Sequence, residues 1–190
     1  MADEVFEQGN RHVSQGNLAI GEGLVTDALA YYEQIFGQVH PELAIKYHEL
    51  AVLYHQVAQP IARNVNIYEN GHTAESTAEE KEKAKRDSGL QDDESLAVAK
   101  RETGQFWESA VQMNRQSVIL AERTMGLDHP TTAQQYIDLG ILEHASGNAA
   151  LGLKMLRHAF ELFSSIYGEA HPEAIRALVR SEVPLTMPQS

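Results

Sequence analysis

The chain contains no cysteine. Disulfides, thiolate nucleophiles and cysteine-ligated zinc are therefore excluded, and a reducing compartment fits. Long apolar runs are missing too. None approaches the ~18 residues that a membrane span needs, so no membrane insertion is expected. The opening stretch MADEVFEQGN is acidic and lacks an apolar core, unlike a secretory signal peptide. Positive charge is scarce: 15 Lys and Arg stand against 27 Asp and Glu, for a formal net charge of −12. Such a balance argues against holding nucleic acid by phosphate neutralisation, and against attraction to anionic membrane surfaces. Gly-rich phosphate loops are also lacking, since Gly21-Glu22-Gly23 follows no strand pattern. There is no HExxH, and so no helical histidine pair for zinc.

What is present is a repeat. Gly37-Gln-Val-His-Pro-Glu42, Gly126-Leu-Asp-His-Pro130 and Gly168-Glu-Ala-His-Pro-Glu173 share one form, Gly-x-x-His-Pro. His129 and His171 are 42 residues apart, whereas His40 and His129 are 89 apart, which is one repeat plus an insertion of 47. On that register Tyr47 aligns with Tyr136, Leu50 with Leu139, Leu53 with Leu142 and His55 with His144. The stretch Gly16–Gly37 aligns without a gap on Gly147–Gly168, and Gln105–Gly126 is the third copy.

Each unit reads as two helices. Helix A follows His-Pro, with apolar residues at Tyr136, Leu139 and Leu142; helix B carries Leu151, Met155, Ala159, Leu162 and Ile166 at steps of three and four. Gly-Asn between them suits a tight turn. Gly126 is expected to end helix B in the left-handed conformation. Pro130 starts the next helix where its missing N–H costs nothing, and Asp128 or His129 can cap it. The His-Pro histidines therefore read as structural rather than as metal ligands. The pattern predicts units 4–37, 41–126, 130–168 and a partial cap, 172–185, whose tail folds back or leaves an open end for dimerisation. The insertion, 58–104, reads as a tolerated excursion or a partner-binding arm. Pro60, Asn70-Gly71 and Ser88-Gly89 punctuate it. Its polar stretch Glu75–Asp87 is expected as a solvated helix or disorder. The stretch from Glu94 continues helix B upstream despite Gly104.

These helix pairs, with Tyr, Leu and a small residue on helix A, Gly at the turn and Ala on helix B, resemble tetratricopeptide repeats. The 42-residue form with Gly-x-x-His-Pro resembles that of kinesin light chains. Val118–Asn148, together with Tyr32–Gln56 and Ile166–Glu173, resembles the C-terminal repeat region of the clustered mitochondria protein family. That likeness covers 4–58 and 105–175. It implies an all-α, right-handed solenoid of antiparallel helix pairs, with about three repeats and a long insertion in the second. It also implies a cytoplasmic setting and a link to mitochondrial distribution and translation, with ribosome or initiation factor 3 components as possible partners. By the same resemblance, Ile45, His48, Val52 and His55 of the second unit, and Gln134, Ile137, Ile141 and His144 of the third, face a groove for a protein or peptide partner.

A protein-interaction scaffold without enzymatic activity, catalytic residues, cofactor or metal is the leading expectation. RNA binding or ribosome association through the same groove is the competing one. A hydrolase using His48 or His55 is the third, and no orienting partner for either is visible in the sequence. Trp107 reads as a buried anchor ahead of an exposed hot spot.

Overall fold

The computed structural model describes residues 1–73 and 75–182. The end of the expected cap, 183–185, lies outside them. Among the described residues there are eight helices and no strand: α1 (Ala2–Ser14), α2 (Leu18–Phe36), α3 (Pro41–Gly71), α4 (Ala78–Ser88), α5 (Asp93–Thr124), α6 (Pro130–Ala145), α7 (Ala149–Tyr167) and α8 (Pro172–Glu182). The architecture is an all-α solenoid. α1 pairs with α2, α3 with α5 and α6 with α7, and α8 packs on α7. No described helix is long and apolar enough to cross a membrane.

The Gly-x-x-His-Pro junctions work through the histidine. Nδ1 of His40, His129 and His171 accepts the N–H of Glu42, Thr131 and Glu173, at 3.1, 3.2 and 3.3 Å. Each thus satisfies one of the donors that a helix start leaves free. His129, and not Asp128, is the cap of α6. The rings of His40 and His171 also stack on the aromatic residue four places earlier. His40 lies on Phe36 at 4.6 Å, and His171 on Tyr167 at 4.4 Å. At the middle junction Met125 takes that place. Gly126 has φ +90°, as the end of helix B requires.

Helix pairs cross closely where glycines meet. A Cβ on Gly152 would stand 2.6 Å from the Gly140 carbonyl oxygen, and one on Gly140 would stand 2.7 Å from Leu156 Cγ. Gly9 and Gly21 make the same kind of crossing between α1 and α2. In the middle pair the equivalent positions carry Ala51 and Ala110, both buried.

The insertion is not a loop. α3 runs unbroken through Pro60 for 31 residues, and α5 through Gly104 for 32. Burial of Ala58, Ala62, Val65 and Tyr68 on one side and Ala99, Phe106 and Trp107 on the other holds the pair together. That packing outweighs the lost hydrogen bond at Pro60 and the weak helix propensity of Gly104. α4 then closes the far end. It is polar on nearly all sides and buries only Ala84 and Ser88. Gly71 makes the crossing possible, because a Cβ there would fall 2.1 Å from Ala84 Cβ. Thr77 and Glu80 form a capping box at the start of α4, and Gly89 ends it with φ +73°.

The core runs continuously through the first two pairs, from Phe6 and Val25 to Tyr54 and Phe106. A second cluster joins Ala133, Ile137, Leu156 and Phe163 to Ala174 and Ala177 of α8.

Candidate partner-binding groove

The first helices of the pairs, α1, α3 and α6, with α8 after them, carry the residues expected to face a partner. A polar ladder ties three of them together. His48 Nδ1 lies 3.2 Å from Asn114 Oδ1, and its Nε2 lies 3.7 Å from Asp138 Oδ2. Asp138 accepts from Gln134 Nε2 at 3.1 and 3.2 Å. Gln134 Oε1 in turn accepts from Arg176 Nη2 at 2.6 Å, and Arg176 pairs with Glu173 at 2.8 Å. The ladder passes from α5 through α3 and α6 to α8, so it fixes the spacing of the wall.

Beside it lies an opening of about 170 Å³, lined by His48, Val52 and His55 of α3 and by Asp138, Ile141 and Leu142 of α6, with Asn114 at its floor. A wider hollow of about 440 Å³ shares His48 and continues over Gln134, Gln135 and Tyr167 to His171. His55 sits edge-on to Trp107, with ring centroids 5.1 Å apart, and its Nε2 accepts from Gln59 Nε2 at 2.6 Å. Burial pushes the His55 ring below the ordinary imidazole range, and the Asp138 charge opposes that in part. The ring is therefore kept neutral, as its accepting role requires.

The structure brings His48, Val52, His55 and Ile141 together in the first opening and puts Gln134 in the second. Ile45 is exposed one turn earlier on α3, outside both. His144 is half-buried beside α7, where a Cβ on Gly152 would meet its backbone nitrogen at 3.0 Å, and it lines neither opening. Ile137 corrects the expectation. It is 0% exposed and belongs to the second core cluster with Ala174 and Ala177. Phe163 of α7 belongs to that cluster too, and α8 reaches it by packing on α7. His48, the repeat equivalent of Ile137 on α3, is left only half-buried.

Sequence reasoning missed Asn114, Gln135 and Asp138. Asn114 carried a signal: it interrupts the apolar stripe Ala110, Val118, Ala121 on a helix B. It is 0% exposed, and its Nδ2 donates to the Gln135 carbonyl at 3.2 Å. Asp138 carried one too, since it shares a register with Glu49. Trp107 is a buried anchor.

Paired antiparallel helices crossing at small residues, joined by left-handed glycines and stacked through capped junctions, define a tetratricopeptide-type repeat array. The family model described as tetratricopeptide repeat matches residues 94–131, which are α5 and the junction after it. Over nearly its whole length the chain is similar to clustered mitochondria proteins. It is 32% identical over 185 residues, 97% of its length, to the clustered mitochondria protein homolog of Ajellomyces capsulatus. It is 35% identical over 169 residues, 89% of its length, to that of Mycosarcoma maydis, and 30% identical over 185 residues to that of Aspergillus niger. The chain spans about 11% of the length of these relatives.

Proposed function

We propose that this chain is the partner-binding repeat module of a clustered-mitochondria-like protein, holding an extended peptide or protein segment along α1, α3 and α6. A repeat array of this kind is a protein-interaction module, because stacked helix pairs present an extended wall of first helices. The observation that carries the groove reading is the opening between α3 and α6. There Val52 and Ile141 offer apolar surface beside a ladder whose polar atoms are already ordered. Apolar anchors with a few fixed polar groups are what a peptide site needs. The reading is non-enzymatic because His48 and His55 are each engaged by an amide side chain, Asn114 and Gln59, and no Ser or Thr hydroxyl bonds to either among the described residues. A link to mitochondria rests on the relatives' name, and a cytoplasmic setting, a link to translation and ribosome or initiation-factor partners rest on the family resemblance alone.

A photo-crosslinking amino acid placed at Val52, with one at Asp27 on α2 as control, tests the groove. A recurrent, saturable adduct to one protein at position 52, displaced by excess unlabelled chain, is expected. Adducts no stronger at 52 than at 27 would overturn the groove.

A further inference from the structure

We infer that the segment held along this wall is cationic: an extended chain whose Lys or Arg side chains meet a row of carboxylates, one from each of α1, α3 and α6. This rests on the groove reading above and adds the chemistry of its occupant. The repeat register that aligns Gly9 with Ala51 and Gly140 also aligns Glu7, Glu49 and Asp138. These three therefore occupy the same position on three successive first helices, two residues before the close crossing. Glu7 and Glu49 are exposed and Asp138 is half-buried at the edge of the first opening. Asp3 and Glu42 stand at the α1 end; the Tyr32 hydroxyl there is held above its usual range by burial first, then by its hydrogen bond to Asp3, with the charges of Asp3, Glu49 and Glu42 adding to it. Before Lys46 the only Lys or Arg is Arg11.

Existing contacts leave Glu7 and Asp138 without a Lys or Arg among the described residues and pair Glu49 with one. Glu49 Oε2 meets Lys46 at 3.0 Å in an exposed pair within one helix turn. The same Lys46 Nζ also lies over the Phe6 ring, 5.0 Å from its centroid. Asp138 is met by the Gln134 amide and, at 3.7 Å, by His48. No Lys or Arg reaches Glu7 or Asp138 among the described residues. On α8 the register position becomes Arg180, so the row reverses sign there.

A second observation points to a chain as the ligand. Gln135 is 2% exposed and lines the hollow that continues from His48, yet neither its Oε1 nor its Nε2 has a hydrogen-bond partner among the described residues. A buried amide left unpaired costs free energy. A peptide backbone passing there offers one N–H and one C=O, which are the partners this side chain lacks.

The test uses two fluorescent peptides of equal length, alternating Lys with Leu and Ala in one and Glu with Leu and Ala in the other, read by anisotropy against the full chain. The Lys peptide is expected to bind, more weakly as salt rises, and the Glu peptide not to bind. Glu49→Gln with Asp138→Asn should weaken the Lys peptide by about tenfold. Asp27→Asn with Glu108→Gln, the same charge change on the second helices α2 and α5, should change it by less than about twofold. Circular dichroism confirms that both double variants fold. Equal loss in the two variants would mean attraction to the net charge, and equal binding of the two peptides would mean no charge selection. Either result, or binding of neither peptide, overturns the inference. The crosslink at Val52 judges the groove separately.

Discussion

Arg115 donates from Nε to Glu143 Oε1 at 2.8 Å, laying a guanidinium whose side chain is 48% exposed over a carboxylate that is 0% exposed. The other carboxylate oxygen accepts from Asn148 at 3.1 Å. One buried acid thus ties the middle helix pair to α6 and to the turn that opens α7. Removing Arg115 leaves that acid uncompensated. Arg115→Ala is expected to destabilise the chain by about 3 kcal/mol, read by urea unfolding, and Glu143→Leu by less than Arg115→Ala, because burying a charge without its partner costs more than losing the pair.

The α6–α7 crossing makes a sharper steric prediction. Gly152→Ala drives a methyl into the Gly140 backbone and is expected to cost about 2 kcal/mol. The equivalent change in the middle pair runs the other way: Ala110→Gly loses helix propensity and packing and costs about 1 kcal/mol. Thermal unfolding of the two variants should rank them in that order. Equal costs would contradict the close crossing.

The junction histidines differ in a measurable way. His129→Ala should cost about 1 kcal/mol and His129→Asn much less, because Asn also caps. His40→Ala should cost more than His129→Ala, because His40 also stacks on Phe36, whereas Met125 stands at the equivalent place before His129. Chemical denaturation of the three variants checks the ranking.

His55 sets a pH dependence. Burial lowers its folded ring pKa below the unfolded value of about 6.5. Below that value the unfolded chain takes up the proton first, so stability falls as pH falls from about 6.5 through the folded pKa and is fully present above it. His55→Gln should flatten this part of the stability–pH curve. A curve of unchanged slope would remove His55 from the cause.

The junctions were legible because their chemistry is local. Gly126, His129 and Pro130 each constrain the backbone on their own, so the interval between them gave the helix order and the pairing of α6 with α7. The arm was legible only in part. Asn70-Gly71 and Ser88-Gly89 do end helices, and α5 does continue upstream of Gly104. Pro60 does not break α3, because buried Val65 and Tyr68 downstream outweigh a local breaker. Val52 and Ile141, expected on one face by the family resemblance, do line one opening between α3 and α6; that a partner sits there is our proposal. The expectation failed at Ile137, which is buried in one cluster with Phe163 of α7 and Ala174 and Ala177 of α8. Nothing within α6 signals that.

The unbroken passage of α5 through Gly104 has a mechanical consequence. A helix of 32 residues extends roughly 48 Å at 1.5 Å per residue, and α3 runs beside it almost as far. The second pair is therefore an outrigger rather than a tether. α4 at its tip is held at a set reach and bearing from the wall, and lengthening the arm by a single residue would swing it about the axis by about 100°.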